Sequence, residues 1–230
     1  MLKLRNPFAN LTKFEWTLYI LSAVTVIATG FFGGGDGVLS TVASFIGVTA
    51  LIFVAKGDVF GQVLTLVFAV FYGIISYSFH YYGEMITYMC MTAPIAAAAV
   101  VSWIRHPFKD SDEVEVAVLS RRNIAFMWAA AIFVTVAFYF ILGAFGNANL
   151  LASTVSVTTS FLASYLTFFR SPYYALAYAA NDIVLIVLWI MASLTDIKYI
   201  AMVVCFIAFF VNDMYGFYNW KRMQKRQKAE

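Results

Sequence analysis

What this chain can fold into is constrained most by the length of its apolar runs. Eight stretches, at about 15–33, 37–55, 59–79, 84–104, 123–143, 149–169, 172–192 and 197–219, carry almost no charge. A helix rises about 1.5 Å per residue, so roughly twenty such residues cross ~30 Å of hydrocarbon. Only helices and closed barrels satisfy their backbone in lipid, and unbroken apolar runs favour helices over alternating barrel strands. Hydrophobic residues make up 63% of the 230-residue chain and charged ones 12%, against roughly 25% charged in a soluble domain. No polar block is long enough for a separate aqueous domain. The expected fold class is an all-α integral membrane protein with eight transmembrane helices. MLKLRNPFANLTKFE at the start is polar and precedes a full-length apolar run, so no cleavable signal is expected.

Orientation follows from the bases. Lys3, Arg5, Lys13, Lys56, Arg105, Lys109, Arg121, Arg122 and Arg170 fall in alternate connections, and the tail adds Lys221, Arg222, Lys225, Arg226 and Lys228. Fourteen of the fifteen bases thus share one side, and Lys198 stands alone on the other. The positive-inside rule then predicts an even number of crossings with both termini cytoplasmic. The net charge of +3 reflects that bias and not nucleic-acid binding. The tail KRMQKRQK reads as a solvated anchor beside the membrane that could also touch anionic lipid.

The chain also repeats. STVASFIGVTALIFVAKG from Ser40 and STVSVTTSFLASYLTFFRS from Ser153 are Ser/Thr-rich apolar helices, each ending in one base, Lys56 or Arg170. EMITYMCM aligns with IKYIAMVV, pairing Tyr88 with Tyr199, and each copy closes on an aromatic followed by bases, SWIRH at Trp103 and YNWKR at Trp220. The offsets run from 111 to 117 residues. Spans two to four therefore match spans six to eight, with span five a connector and span one peripheral. One connector between three-helix units keeps them parallel, an arrangement used by transporters. The predicted organisation is 1+3+1+3. Residues 1–36 hold the N-terminus and first helix, 37–104 the first bundle and 105–148 the charged loop with the connector. Residues 149–220 form the second bundle and 221–230 the basic tail.

Function should sit where polarity is deep. In the seventh span Tyr174, Tyr178, Asn181, Asp182, Leu185 and Trp189 fall within about a 100° arc of one helix face. An acid in mid-membrane costs several kcal/mol unless it faces protein or water. Aromatic planes with interspersed donors and acceptors suit a flat heterocycle bearing a hydroxylated sugar. Tyr174 and Trp189, near the helix ends, read equally as interfacial belt residues. The eighth span carries a second pair, Asn212 and Asp213, with Asn219 and Trp220 beyond. Asp213 reads as nearer the basic end than Asp182, where a tail base could pair with it. Gln62, Thr65, Tyr72, Gly73 and Ser76 share a face of the third span, and Tyr88 and Thr92 stand one turn apart before Pro94, which reads as a kink. The small-residue stripes Ser40, Ser44, Gly47 and Ser153, Ser156, Ser160, Ser164 read chiefly as helix packing, with a polar path as the alternative.

Several classes are excluded. No span buries a Lys or Arg deeply, so a phosphate ester would find no cationic partner; a neutral or cationic small molecule fits better. No G-x-x-x-x-G-K-[ST] loop is present, and no nucleophile–base pair or metal-ligand spacing points to an enzyme. Metal and cofactor are expected to be none. His80 and His106 lie in loops, and Cys90 and Cys205 read as small packing residues.

The segments FVAKGDVFGQVL, YYGEMITYM, SFLASYLTFFRSPYYALAYAANDIVLIVLW and VNDMYGFYNWKR resemble the PnuC family of bacterial nicotinamide riboside transporters, over roughly Glu15 to Arg222. The resemblance implies a SWEET-like fold with a mid-membrane site between two three-helix bundles. It implies facilitated diffusion of a vitamin-like nucleoside across the bacterial inner membrane, trapping by a cytoplasmic kinase, and a homotrimer among membrane lipid. Asp182, Asn181, Asn212 and Trp189 carry over as substrate-binding residues, and Gln62 and Tyr88 follow on a looser match. Many members read W-x-x-W-x-x-x-D in the seventh span; here the two tryptophan positions are Ala175 and Tyr178. The expected cargo is nicotinamide riboside. The alternative is another vitamin or nucleoside (thiamine, riboflavin, a deoxynucleoside), possibly proton-coupled through Asp182.

Overall fold

A computed structural model of the chain describes residues 6–32, 37–78, 82–109, 111–147, 149–195, 197 and 200–230. Lys3, Arg5, Gly33, Gly34, Gly35, His80, Lys198 and Tyr199, together with the side chain of Ser40, lie outside the described residues, and so do the expectations resting on them. Among the described residues the chain is helical with no β-strand. The helices are α1 (Lys13–Phe32), α2 (Gly37–Ala55), α3 (Val59–Ser78), α4 (Tyr82–Ile86), α5 (Ala93–Arg105), α6 (Arg121–Ala144), α7 (Leu150–Phe168), α8 (Tyr174–Ser193) and α9 (Ile200–Ala229). Six helical stretches among the described residues are long and apolar enough to cross a membrane: Val59–Tyr77, Glu84–Arg105, Arg121–Ala144, Leu150–Phe168, Tyr174–Ser193 and Met202–Ala229. The described part of α2, Thr41–Ala55, is a shorter apolar helix.

Between α4 and α5 lies a π-turn, Thr87–Thr92, so the fourth apolar run is one rod with a widened turn. Pro94 follows directly and cannot donate to the turn before it. The backbone adapts by a wider register, in which Ala93 N–H donates to the Tyr88 carbonyl five residues back. Such a turn rotates the residues within it relative to a regular helix. The final helix runs well past the apolar end at 219. Its basic stretch lacks Gly and Pro and is rich in good helix formers, and Gln227 holds it against the loop by accepting from Val116 N–H (2.8 Å) and donating to the Val114 carbonyl (3.1 Å).

Helix α2 packs on α1, α3 and α9; α8 packs on α7 and α9; α5 packs on α3 and α7; α6 packs on α7. The two halves use the same turn. Gly57 (φ 71°) and Arg170 (φ 54°), 113 residues apart, both take the left-handed conformation after α2 and α7. Asp58 N–H returns to the Phe53 carbonyl (3.0 Å) as Ser171 N–H does to that of Leu166 (2.9 Å). Gly61 lets α3 fold back on α2: a Cβ there would lie 2.4 Å from the Val54 nitrogen. The loop after α5 straps both turns, since Val114 N–H donates to the Gly57 carbonyl (2.9 Å) and Ala117 N–H to that of Arg170 (3.0 Å).

At this base-rich end the halves clasp reciprocally. Trp103 Nε1 donates to the Thr167 carbonyl (3.0 Å), and Trp220 Nε1 donates to the Val54 carbonyl (2.8 Å). Beside them Ser102 Oγ donates to Phe168 O (3.0 Å) and Asn219 Nδ2 to Ala55 O (2.9 Å). The two indoles pack at 5.4 Å between centroids and are fully buried. Helix α1 is pinned separately: Glu15, in its first turn, accepts from Lys56 Nζ (3.1 Å) and Tyr215 Oη (2.8 Å).

Candidate functional site

The polar residues of α8 open onto a cavity of about 70 Å³. Helix α2 contributes Gly47, Ala50, Leu51 and Val54, and α3 contributes Gln62, Thr65 and Phe68. Tyr88 and Thr92 enter from the π-turn and Ser160 from α7. Opposite stand Tyr174, Tyr178, Asn181 and Asp182 of α8, with Phe206, Phe209 and Asp213 of α9. Neither α1 nor α6 supplies a lining residue. The cavity therefore lies between the α2–α5 and α7–α9 parts of the chain.

Each polar group has a local reason for its position. Asn181 is buried, and its Oδ1 accepts from Ser156 Oγ (3.1 Å) and Thr159 Oγ1 (2.9 Å) of α7. Two hydroxyls on the oxygen leave the –NH₂ as the end with donors to offer. The Ser stripe of α7 thus does more than pack: Ser156 orients Asn181, Ser160 lines the void, and Ser164 lies 3.4 Å from the Tyr178 hydroxyl. Gly47 is the close-packing residue of α2, where a Cβ would sit 2.8 Å from Phe209 Cζ. The π-turn holds Tyr88 against Tyr72 (4.4 Å between centroids) and edge-on to Phe68 (6.0 Å).

Asp182 and Asp213, each 4% exposed, face the same cavity from the adjacent helices α8 and α9. Asp182 Oδ2 has no hydrogen-bond partner among the described residues, although buried carboxyl oxygens nearly always find one. Asp213 does not reach for a tail base. It lies seven residues before Trp220, as Asp182 lies eight after Tyr174, so antiparallel α8 and α9 place both at one depth, about 10–12 Å from the clasp at 1.5 Å per residue. Among the described residues neither Lys nor Arg lines the cavity.

Of the residues expected at the site, Asn181, Asp182, Tyr178, Gln62 and Tyr88 meet at the cavity. Asn212 and Trp189 fall outside its lining. Asn212 faces away toward α1, its Nδ2 donating to Ser22 Oγ (2.8 Å) and the Ala208 carbonyl (2.8 Å), while its buried Oδ1 has no partner among the described residues. Trp189 packs against the apolar cluster of Leu185, Phe206 and Phe209. Ala175 is fully buried behind the cavity, with the Cβ position of Gly216 only 3.6 Å from its own Cβ. A tryptophan has no space there. The lining phenylalanines, Phe68, Phe206 and Phe209, carried no signal in a chain with 23 of them. Asp213 did carry one, the recurrence of Asn-Asp in consecutive spans. Cys205 is buried as expected, whereas Cys90 on the π-turn is exposed.

A polar, carboxylate-bearing void walled by apolar helices from both halves of the chain defines a multi-pass membrane transporter for a small solute. Residues 37–222 match the family model described as nicotinamide mononucleotide transporter, and the chain belongs to that family. It is similar to the nicotinamide riboside transporter PnuC of Neisseria mucosa, 25% identical over 233 residues that span 98% of this chain and 88% of that protein. A crystal structure of the vitamin B3 transporter PnuC shares the fold, with a TM-score of 0.82 at 24% identity over 96% of this chain and 95% of the other.

Proposed function

We propose that the chain carries nicotinamide riboside across the bacterial inner membrane by facilitated diffusion and alternating access, as a transporter and not an enzyme. The observation that carries the cargo is the chemistry of the lining: two neighbouring carboxyl groups and, among the described residues, no base. Nicotinamide riboside is a cationic ring on an uncharged sugar, whereas the mononucleotide adds a phosphate that would meet Asp182 and Asp213 without a counter-ion. A buried phosphate with no base to pair it is costly to desolvate. Tyr88 and the lining phenylalanines would stack on the ring. Gln62 and Asn181 would bond its carboxamide or ribose, and the unpartnered Asp182 Oδ2 would face its charge.

The wider organisation supports this reading. Contacts of α2 with α9 and of α5 with α7, and the matched turns 113 residues apart, suit two parallel three-helix bundles, 37–104 and 149–220. The first helix and the connector α6 stand outside them, and the exposed apolar face of α6 (Phe126, Trp128, Ile132, Phe133, Phe140) suits lipid or neighbouring copies in a homotrimer. Eight crossings would put both termini in the cytoplasm, where phosphorylation would trap the solute.

Uptake of labelled nicotinamide riboside into proteoliposomes tests the proposal. Unlabelled riboside should compete at least roughly tenfold better than the mononucleotide, since one lost charge complement is worth about that much. Equal competition by the mononucleotide, or stronger competition by thiamine, would end the cargo assignment. Uptake that vanishes when a proton gradient is collapsed would replace facilitated diffusion with coupling through the carboxyl pair.

A further inference from the structure

The cavity does not stop at the carboxyl pair. Beyond it lies a smaller void of about 10 Å³ that shares Gln62, Thr65, Thr92 and Tyr178 with the first and adds Ser164 and Thr167. The polar lining thus continues toward the base-rich end, with Ala99 on its wall. One turn past Ala99 stands Trp103, whose indole closes on the Thr167 carbonyl. We infer that Trp103 and Trp220 form the gate that seals the solute path at this face, and that Tyr174 links the gate to the cavity.

Three observations carry the inference. The smaller void reaches Ala99, one turn before Trp103, and both tryptophans are fully buried and in ring contact with each other. Each indole bonds the other half of the chain, Trp103 to α7 and Trp220 to α2. Two halves that rock about a central solute cannot part at this end while those bonds persist. Finally, Tyr174 belongs to the cavity wall and meets the Trp220 ring edge-on at 5.0 Å. Its hydroxyl lies 3.1 Å from where a Cβ on Gly216 would be, so the ring is seated against α9 one turn before Trp220. A solute that shifts Tyr174 therefore acts directly on the indole. An unmade indole–carbonyl bond is costly in a low-dielectric interior, which keeps the gate shut when nothing occupies the cavity.

The inference rests on the transport reading, but the labelling that tests the gate needs no solute. With Cys90 and Cys205 replaced by alanine, Ala99→Cys places a single thiol beneath the gate. A charged, membrane-impermeant thiol reagent is applied to right-side-out and inside-out vesicles of the full chain. Trp220→Phe, which keeps the ring and removes the N–H donor, should raise labelling from the base-rich face roughly tenfold, the scale of one lost buried hydrogen bond, and should not raise it from the opposite face. An unchanged rate, or a rise on the opposite face, would show a static clamp and overturn the gate. If Trp220→Phe fails to fold, Asn219→Ala removes only the neighbouring bond to Ala55 and should raise the same rate by a smaller factor; no rise there overturns the gate equally. A parent that transports but shows no effect of either substitution sinks the gate alone. A parent that moves no nicotinamide riboside sinks the cargo, whatever the labelling shows.

Discussion

At Asn181 the two ends of one carboxamide have different tasks. Its oxygen is fixed by Ser156 and Thr159, and its nitrogen is left for the cavity. Asn181→Leu removes the donors and strands the Ser156 hydroxyl, worth about 1–3 kcal/mol when unpaired and buried, while Thr159 keeps backbone acceptors on its own helix. Riboside should then no longer raise the melting temperature, as a ligand specific for the folded state otherwise does; a retained shift would remove Asn181 from the site. Ala175 makes the opposite point. Restoring a tryptophan there should not restore stacking, because the position is packed between α8 and α9. Overpacking of this kind typically costs about 1–3 kcal/mol, so Ala175→Trp should lower the melting temperature, and any gain in riboside affinity would contradict the packing described. Face periodicity made Asn181, Asp182 and Tyr178 legible in sequence. The direction of Asn212 was not, because an amide on a helix can serve a neighbour as readily as a cavity.

Among the elements, the π-turn and the two left-handed turns set the cavity's shape. Pro94→Ala restores a donor and lets Thr87–Thr92 relax toward a regular helix, which would rotate Tyr88 off the wall. Riboside uptake should fall while the melting temperature holds or rises; uptake at the parent rate would mean that the wider turn is incidental. At the α2–α3 turn, Gly61→Ala would push a methyl into the Val54 backbone. Backbone cannot yield as a flexible side chain can, so a loss of several degrees in melting temperature is expected, with an unchanged value arguing against the close approach. Helix existence was readable from apolar run length alone. The widened register was not: Pro94 signals that the helix must adapt, and a kink or a π-turn would each satisfy it. The extension of α9 was hidden in the same way, since its basic residues look like a tail until Gln227 and Arg226 are seen bracing the loop.

For the whole molecule, the bias of fourteen bases against one predicts that reporters fused to either terminus report the same compartment. Opposite signals would require an odd number of crossings and break the parallel-repeat proposal. Composition and run length were sufficient to establish a helical membrane protein with several apolar spans. Each of these is a one-dimensional property that lipid reads directly, since a charge or an unpaired backbone group is penalised wherever it falls in hydrocarbon. What only the tertiary structure decided is which polar residues meet: Asp213 with Asp182 rather than a base, Asn212 with Ser22 rather than the cavity, and each tryptophan with the other half's carbonyl. Those pairings depend on how helices distant in sequence are rotated and set in depth against one another, and that is fixed by packing of small residues and by cross-helix hydrogen bonds, not by the apolar pattern that placed the helices in the membrane.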